Sequence, residues 1–179
     1  MCELTFSAEK VGCKTAGGIK SFYLIDKVNR VDASVAYSVT AGALTITGTG
    51  ADAYHFIPNQ NSFGFTQPTT SENDSNSFFF TQTLEGVLHG YNAAKVALVE
   101  QMAKGRMEVL IEMVNGTLVM AGIEDVGLQI SGGDGGATGQ AIGDANGMTV
   151  TLSGQSTTLA PTLALLSDFT TAFTVAEPA

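Results

Sequence analysis

Tryptophan is absent from this chain, cysteine and histidine each occur twice, and lysine and arginine together only eight times in 179 residues. Each scarcity closes a class of function. Without tryptophan a sugar-stacking platform lacks its best ring, leaving Tyr37, Tyr54 and Tyr91 as the available substitutes. Cys2 and Cys13 are too few for a disulfide scaffold or a four-cysteine zinc site; they are expected to be reduced thiols, with a bridge between them as the alternative. His55 and His89 sit in no recognisable nucleophile motif, so both are expected to be structural or surface residues. No apolar run reaches membrane-spanning length, and "MCELTFSAEKVGCK" has no basic segment followed by an apolar one. The expectation is a soluble chain made in the cytoplasm, with no membrane partner.

Seventeen acids against eight bases give a net charge of -9, which repels nucleic acid instead of holding it, because affinity for phosphates comes from cationic side chains displacing counterions. A DNA-reading role is not expected on that ground. Apolar residues make up 44% and charged ones 14%, a balance common in β-rich chains and in chains that bury surface against partners. The length suits one domain, 1–179, large enough to bury a core without disulfides or metals.

Two segments, "GGIKSFYLIDKV" (17–28) and "GALTITGTG" (42–50), read as strands. The stretch 58–77, "PNQNSFGFTQPTTSENDSNS", is polar, rich in turn residues and too long for a tight turn, and is expected to be either a contact-making excursion or partly disordered. "SFFFTQTLEGVLHG" (77–90) resumes a β pattern, with Phe78, Phe80, Gln82 and Leu84 on one face. A helix is expected over "AAKVALVEQMAK", with Asn92 as N-cap and Gly105 as a left-handed C-terminal cap. Its Val96, Val99, Met102 and Ala103 stripe, joined by Ala94 and Leu98, should face a sheet. "RMEVLIEMV" (106–114) and "TLVMAGIE" (117–124) flank Asn115-Gly116, the pair that favours a two-residue type I′ hairpin. "GLQIS" (127–131) and "GMTVTLSGQ" (147–155) are further strands, the second burying Met148, Val150 and Leu152. The tail from 160 is a terminal strand or an extended arm. Seven or eight strands with one amphipathic helix predict a mainly β, α+β fold: an antiparallel β-sandwich or barrel with that helix on its flank.

The stretch 131–147, "SGGDGGATGQAIGDANG", holds seven glycines in seventeen positions. A phosphate-binding loop needs Gly-Lys followed by Ser or Thr at the head of a helix, and this stretch has no lysine and leads into a strand. A calcium-binding β-roll needs a tandem Gly-Gly-x-Gly-x-Asp repeat, whereas "GGDGGA" occurs once with alanine at the ligand position. Asp134 and Asp144 could bind a cation only weakly, so the stretch is expected to be a strand connection that permits close approach by a neighbouring chain. Acid–base carboxylates would have to come from Glu85, Glu100, Glu108, Glu112, Glu124 or Asp125. Glu108 and Glu112 share a strand face and are expected to form a solvated or lumen-facing acidic row. No catalytic, cofactor-binding or metal-binding residue is assigned.

From about Phe78 to Leu159 the chain resembles the tail tube and related tail proteins of bacteriophages. The resemblance rests on the order of "SFFFTQTLEGVLHG", "NAAKVALVEQMAKGR", "MEVLIEMVNGTLVMAGIEDVGLQIS", "GDGGATGQAIGDANG" and "MTVTLSGQSTTLAP", with Gly143-Asp144-Ala145-Asn146-Gly147 ahead of an alternating strand. It covers somewhat under half of the chain and carries no catalytic signature. The resemblance implies a virion structural protein with possible extended terminal arms, assembled as a ring, usually of six copies. Stacked rings would form a tube that meets other tail or neck proteins and passes DNA through its lumen without specific binding. No cofactor is implied. A neck, head-decoration or baseplate component, or a monomeric surface-binding module, is the alternative.

Overall fold

The computed structural model describes residues 4–5, 10–11, 17–59, 62–72, 77–90, 92–124, 126–133 and 147–176. Along the chain run β1 (Leu4–Thr5), β2 (Lys10–Val11), β3 (Ile19–Asp26), α1 (Lys27–Asp32), β4 (Ala36–Thr40), β5 (Ala43–Thr47), β6 (Ala51–Phe56), β7 (Phe63–Thr66), β8 (Thr69–Glu72) and β9 (Ser77–His89). They are followed by α2 (Ala93–Lys104), β10 (Met107–Met113), β11 (Leu118–Ala121), β12 (Gln129–Gly132), β13 (Gly147–Ser156), β14 (Thr162–Leu163), α3 (Leu166–Ala172) and β15 (Phe173–Ala176).

The fold is mainly β and α+β, as the alternating patterns predict, and it is a sandwich of two open sheets, not a barrel. An eight-stranded sheet has the order β15-β6-β3-β10-β11-β14-β5-β4, and a five-stranded sheet has the order β12-β13-β9-β7 with β8 also paired to β9. Most pairs are antiparallel, but β14 pairs with β5 and β15 with β6 in parallel, so the larger sheet is mixed.

The central strands of the larger sheet are apolar on both faces because both faces are covered. On one side Phe22, Leu24, Val109 and Ile111 meet Leu84, Val150 and Leu152 of the smaller sheet. On the other, Tyr23, Ile25, Leu110 and Met120 pack with Leu44 and Leu163 of the sheet's curled outer half and with Phe169 and Ala172 of α3. Each fully buried large apolar side chain contributes roughly 1.5–3 kcal/mol. Met148, Val150 and Leu152 are buried as their alternation predicts.

Several local expectations are corrected. Three helices are present among the described residues instead of one. In α2, Asn92 accepts from the Lys95 amide as an N-cap should, but Gly105 is extended (φ -101°, ψ 175°) and not left-handed. A Cβ there would come within 2.8 Å of Met107 Cε, so close packing explains the glycine. Met102 is buried, Leu98 and Val99 pack against the core, and Ala103 faces solvent.

The hairpin β10–β11 forms, with Glu112 opposite Leu118, yet its turn has three residues. The Gly116 amide donates to Met113 O, the Met113 amide donates to Thr117 O, and only Gly116 has positive φ (84°) in this turn. This is the turn-plus-bulge solution. The type I′ turn lies instead between β4 and β5, where Ala41 (φ 51°) and Gly42 (φ 81°) join the paired Thr40 and Ala43.

The polar stretch 58–77 contains β7 and β8, both paired with β9, so it is not simply a long loop. The tail holds β14, α3 and β15, with Phe169 wholly buried and stacked 4.5 Å from Phe173. Of the glycine-rich stretch, 134–146 lie outside the described residues. At its entry Gly133 has φ +127° and passes so close to the Thr149 carbonyl that a Cβ would approach it to 2.1 Å. Glycine is required there for close backbone approach.

Candidate assembly surface

Of the carboxylates singled out in the sequence, Glu108, Glu112 and Glu124 prove to be structural ties, each with its own partners. Glu108 and Glu112 share a face of β10 but form no acidic row. Glu108 is 0% exposed. Its oxygens accept from Arg30 Nε at 3.0 and 2.8 Å and from the Tyr37 hydroxyl at 2.8 Å, with Lys27 Nζ at 3.9 Å. Arg30 also donates to Val35 O at 2.6 Å and stacks 4.5 Å over the Tyr37 ring.

Burial raises the Glu108 carboxyl above its ordinary range, against the opposing pull of Arg30, Tyr37 and Lys27. Burial and the adjacent Glu108 push the Tyr37 hydroxyl well up as well. Because Tyr37 lies on β4 and Glu108 on β10, this cluster holds the outer strands of the sheet curled back toward its centre. Tyr37 is therefore not available for sugar stacking.

Glu112 accepts from Lys20 at 2.5 Å and from Ser21 at 2.7 Å. Partial burial alone would raise its carboxyl, but these hydrogen bonds hold it below the usual range and raise Lys20 in turn. Glu124 accepts from the Thr157 amide and hydroxyl at 2.8 and 2.7 Å, tying down the turn after β13. Glu85 and Glu100 are exposed on β9 and α2. His55 stacks 4.4 Å from Tyr23, and the His89 carbonyl accepts from Lys95. Cys2, Cys13, Tyr91, Asp125, Asp134 and Asp144 lie outside the described residues. Among the described residues no three His, Cys, Asp or Glu side chains are grouped to hold a metal.

What the fold offers is surface. Among the described residues the larger sheet ends in two strands without an outer neighbour, β4 and β15. Residues 33–51, which include β4, its turn and β5, contain no charged residue, no proline and no histidine. Proteins blunt exposed edges with charge, proline or bulges, and β4 has none of these devices. The turn geometry fixes which groups are free. In a two-residue hairpin the flanking pair, Thr40 and Ala43, exchanges hydrogen bonds, so alternate residues Tyr37 and Val39 direct their N–H and C=O outward. Val39 is 50% exposed.

A second feature lies beside α2. One groove of about 390 Å³ is lined by Phe22, Tyr54, Phe56, Ile57, Phe63, Leu88, Lys95 and Leu98, among others. Another of about 470 Å³, which shares Tyr54 and Leu98, runs past Asp26, Val28 and Asp52. Half-exposed tyrosine and exposed isoleucine and valine at these walls form an apolar surface of the kind that marks interaction sites. Sequence reasoning missed both features: the edge follows from strand order, and the groove from α2 and β6 forming two of its walls.

Comparison with protein-family models, with curated proteins and with solved structures returns no match.

Proposed function

We propose that this chain is a virion structural protein that self-assembles into rings stacked as a phage tail tube, giving a channel for passage of the genome. The observation that carries the reading is the charge-free, unprotected edge at β4 in a chain of net charge -9. Acidic copies repel one another, so contact is favoured where charge has been removed, and an open strand offers a neighbour a ready ladder of backbone partners. β4 and β15 are opposite edges of one sheet, so joining them between copies is a heterologous contact, the kind that closes into rings or continues as filaments. The order of elements from Phe78 to Leu159 supports the tail-tube form of this assembly. Its partners are then further copies, six to a ring in the tail-tube pattern, and the adjoining tail or neck proteins. DNA passes an acidic wall without being held, no cofactor takes part, and the site of action is the virion tail.

Val39→Pro tests the reading. It removes an outward N–H while leaving the hydrogen-bonded β4–β5 pairs in place. The unaltered protein should sediment as large species at high concentration, and the variant should stay small with an unchanged circular dichroism spectrum. If the unaltered protein is monomeric at every concentration, including with other virion components present, the assembly reading is lost and a monomeric binding module takes its place.

A further inference from the structure

We infer that the groove between α2 and β6 receives the Phe78 end of a second copy, so that copies also join head to tail. The inference rests on the self-assembly reading and names a contact that the sheet edges do not make. Phe78, the second residue of β9, is 62% exposed, its ring set edge-on to Phe80 at 6.0 Å. At the other end of the same strand Leu88 lines the groove, together with Phe22, Phe56, Phe63 and Leu98. Ile57, on its rim, is 66% exposed.

Leu88 lies ten residue steps along the strand from Phe78, about 33 Å at about 3.3 Å per residue. One molecule therefore cannot bring its own ring to its own groove. A neighbour can, and its opposite end is then left open for the next copy, which makes the contact heterologous and continuing.

Charge selects the same occupant. Among the described residues Lys95 is the one lysine or arginine lining the groove, and no carboxylate lines it, although the chain carries more than twice as many acids as bases. The sequence leading into Phe78, from Ser71 to Ser77, has two acids and no base. An aromatic end within acidic sequence thus meets an apolar groove with a cation at its wall. The cavity, about 390 Å³, falls in the range that takes a bulky side chain and its neighbours.

The test uses the full chain with Cys2 and Cys13 changed to serine. Ile57→Cys and Ser71→Cys, the second at an exposed position paired opposite Phe78 that keeps its ring, are made in separate proteins, oxidised alone and mixed. Disulfide-linked dimers should accumulate in the mixture well above either protein alone. Phe78→Ser, at an exposed position, should keep the parent melting temperature and weaken self-association at least tenfold in sedimentation. If the mixture cross-links no better than the single proteins and Phe78→Ser associates like its parent, this contact is refuted while assembly itself stands. If the parent never associates, the assembly reading falls and this contact falls with it.

Discussion

Replacing Arg30 by methionine should cost this fold more than any surface change, because it leaves a buried carboxylate without its main counter-charge. Arg30 makes two hydrogen bonds to Glu108, at 3.0 and 2.8 Å, and Glu108 is 0% exposed. After the substitution the Tyr37 hydroxyl and Lys27, at 3.9 Å, are the partners that remain near the charge among the described residues. Breaking a buried pair from one side costs about 3–5 kcal/mol, whereas replacing both partners by apolar groups is often close to neutral. For a chain of this size about 1 kcal/mol moves the melting temperature by about 2–4 °C, so the single variant should melt about 6–20 °C lower. Arg30→Met combined with Glu108→Leu should recover a large part of that loss, giving a strong coupling term in the double-mutant cycle.

The pH dependence has a definite sign. The Glu108 carboxyl is already raised by burial in the folded state, and loss of Arg30 raises it further. The folded state then holds the proton more tightly than the unfolded chain, so stability falls as pH rises from the unfolded value through the raised folded one. The deficit of Arg30→Met should therefore be smaller at pH 5 than at pH 8. Urea unfolding followed by circular dichroism measures all four proteins at both pH values. A single variant within about 1 kcal/mol of the parent, or two substitutions whose costs simply add, would refute the tie between β4 and β10.

Three further outcomes follow from local geometry. Ala41→Gly should stabilise the protein by about 0.5–1 kcal/mol in urea unfolding, because alanine is held at φ 51° in the β4–β5 turn; a loss of stability would contradict the type I′ assignment. Met102→Ala should cost about 2–3 kcal/mol, the lower part of the range for a buried methionine, since the grooves beside α2 let the site relax; an unchanged melt would mean α2 does not seal the core. Glu112→Gln should be less stable than the parent at pH 7, with the gap closing in acid: the carboxyl is lowered in the folded state, so its contribution is present above its unfolded value and is lost as pH falls through the folded one. A gap that widens in acid would reverse that assignment.

Strands whose side chains alternate between core and solvent were legible because burial imposes the two-residue period: β5, β9 and β13 are of this kind, and β3 and β10 announced themselves as apolar runs. β7 was missed because its inward pair, Phe63 and Phe65, spans only four residues inside a polar stretch, and β8 was not legible because its Thr and Ser residues are held by backbone pairing to β9. The short helix α3 has Leu165 at its N-cap with no side-chain hydrogen bond, so it lacks a start signal and depends on Phe169. Asn115-Gly116 misled on turn type because Asn115 uses its side chain to accept from the Thr117 amide instead of adopting positive φ. The Glu108 cluster joins residues 71 and 78 positions apart, which no local pattern encodes, although an acid inside the run "MEVLI" was a sign that a buried partner was needed. Lack of charge along 33–51 was visible in the sequence, but that it lies at a sheet edge follows only from the strand order.

Electron microscopy of the purified protein, before and after concentration, tests the central claim most directly. The account predicts rings, or tubes of stacked rings, that appear with concentration and are lost in Val39→Pro. A field of single particles of 18.5 kDa, unchanged by concentration and with sedimentation to match, would contradict it.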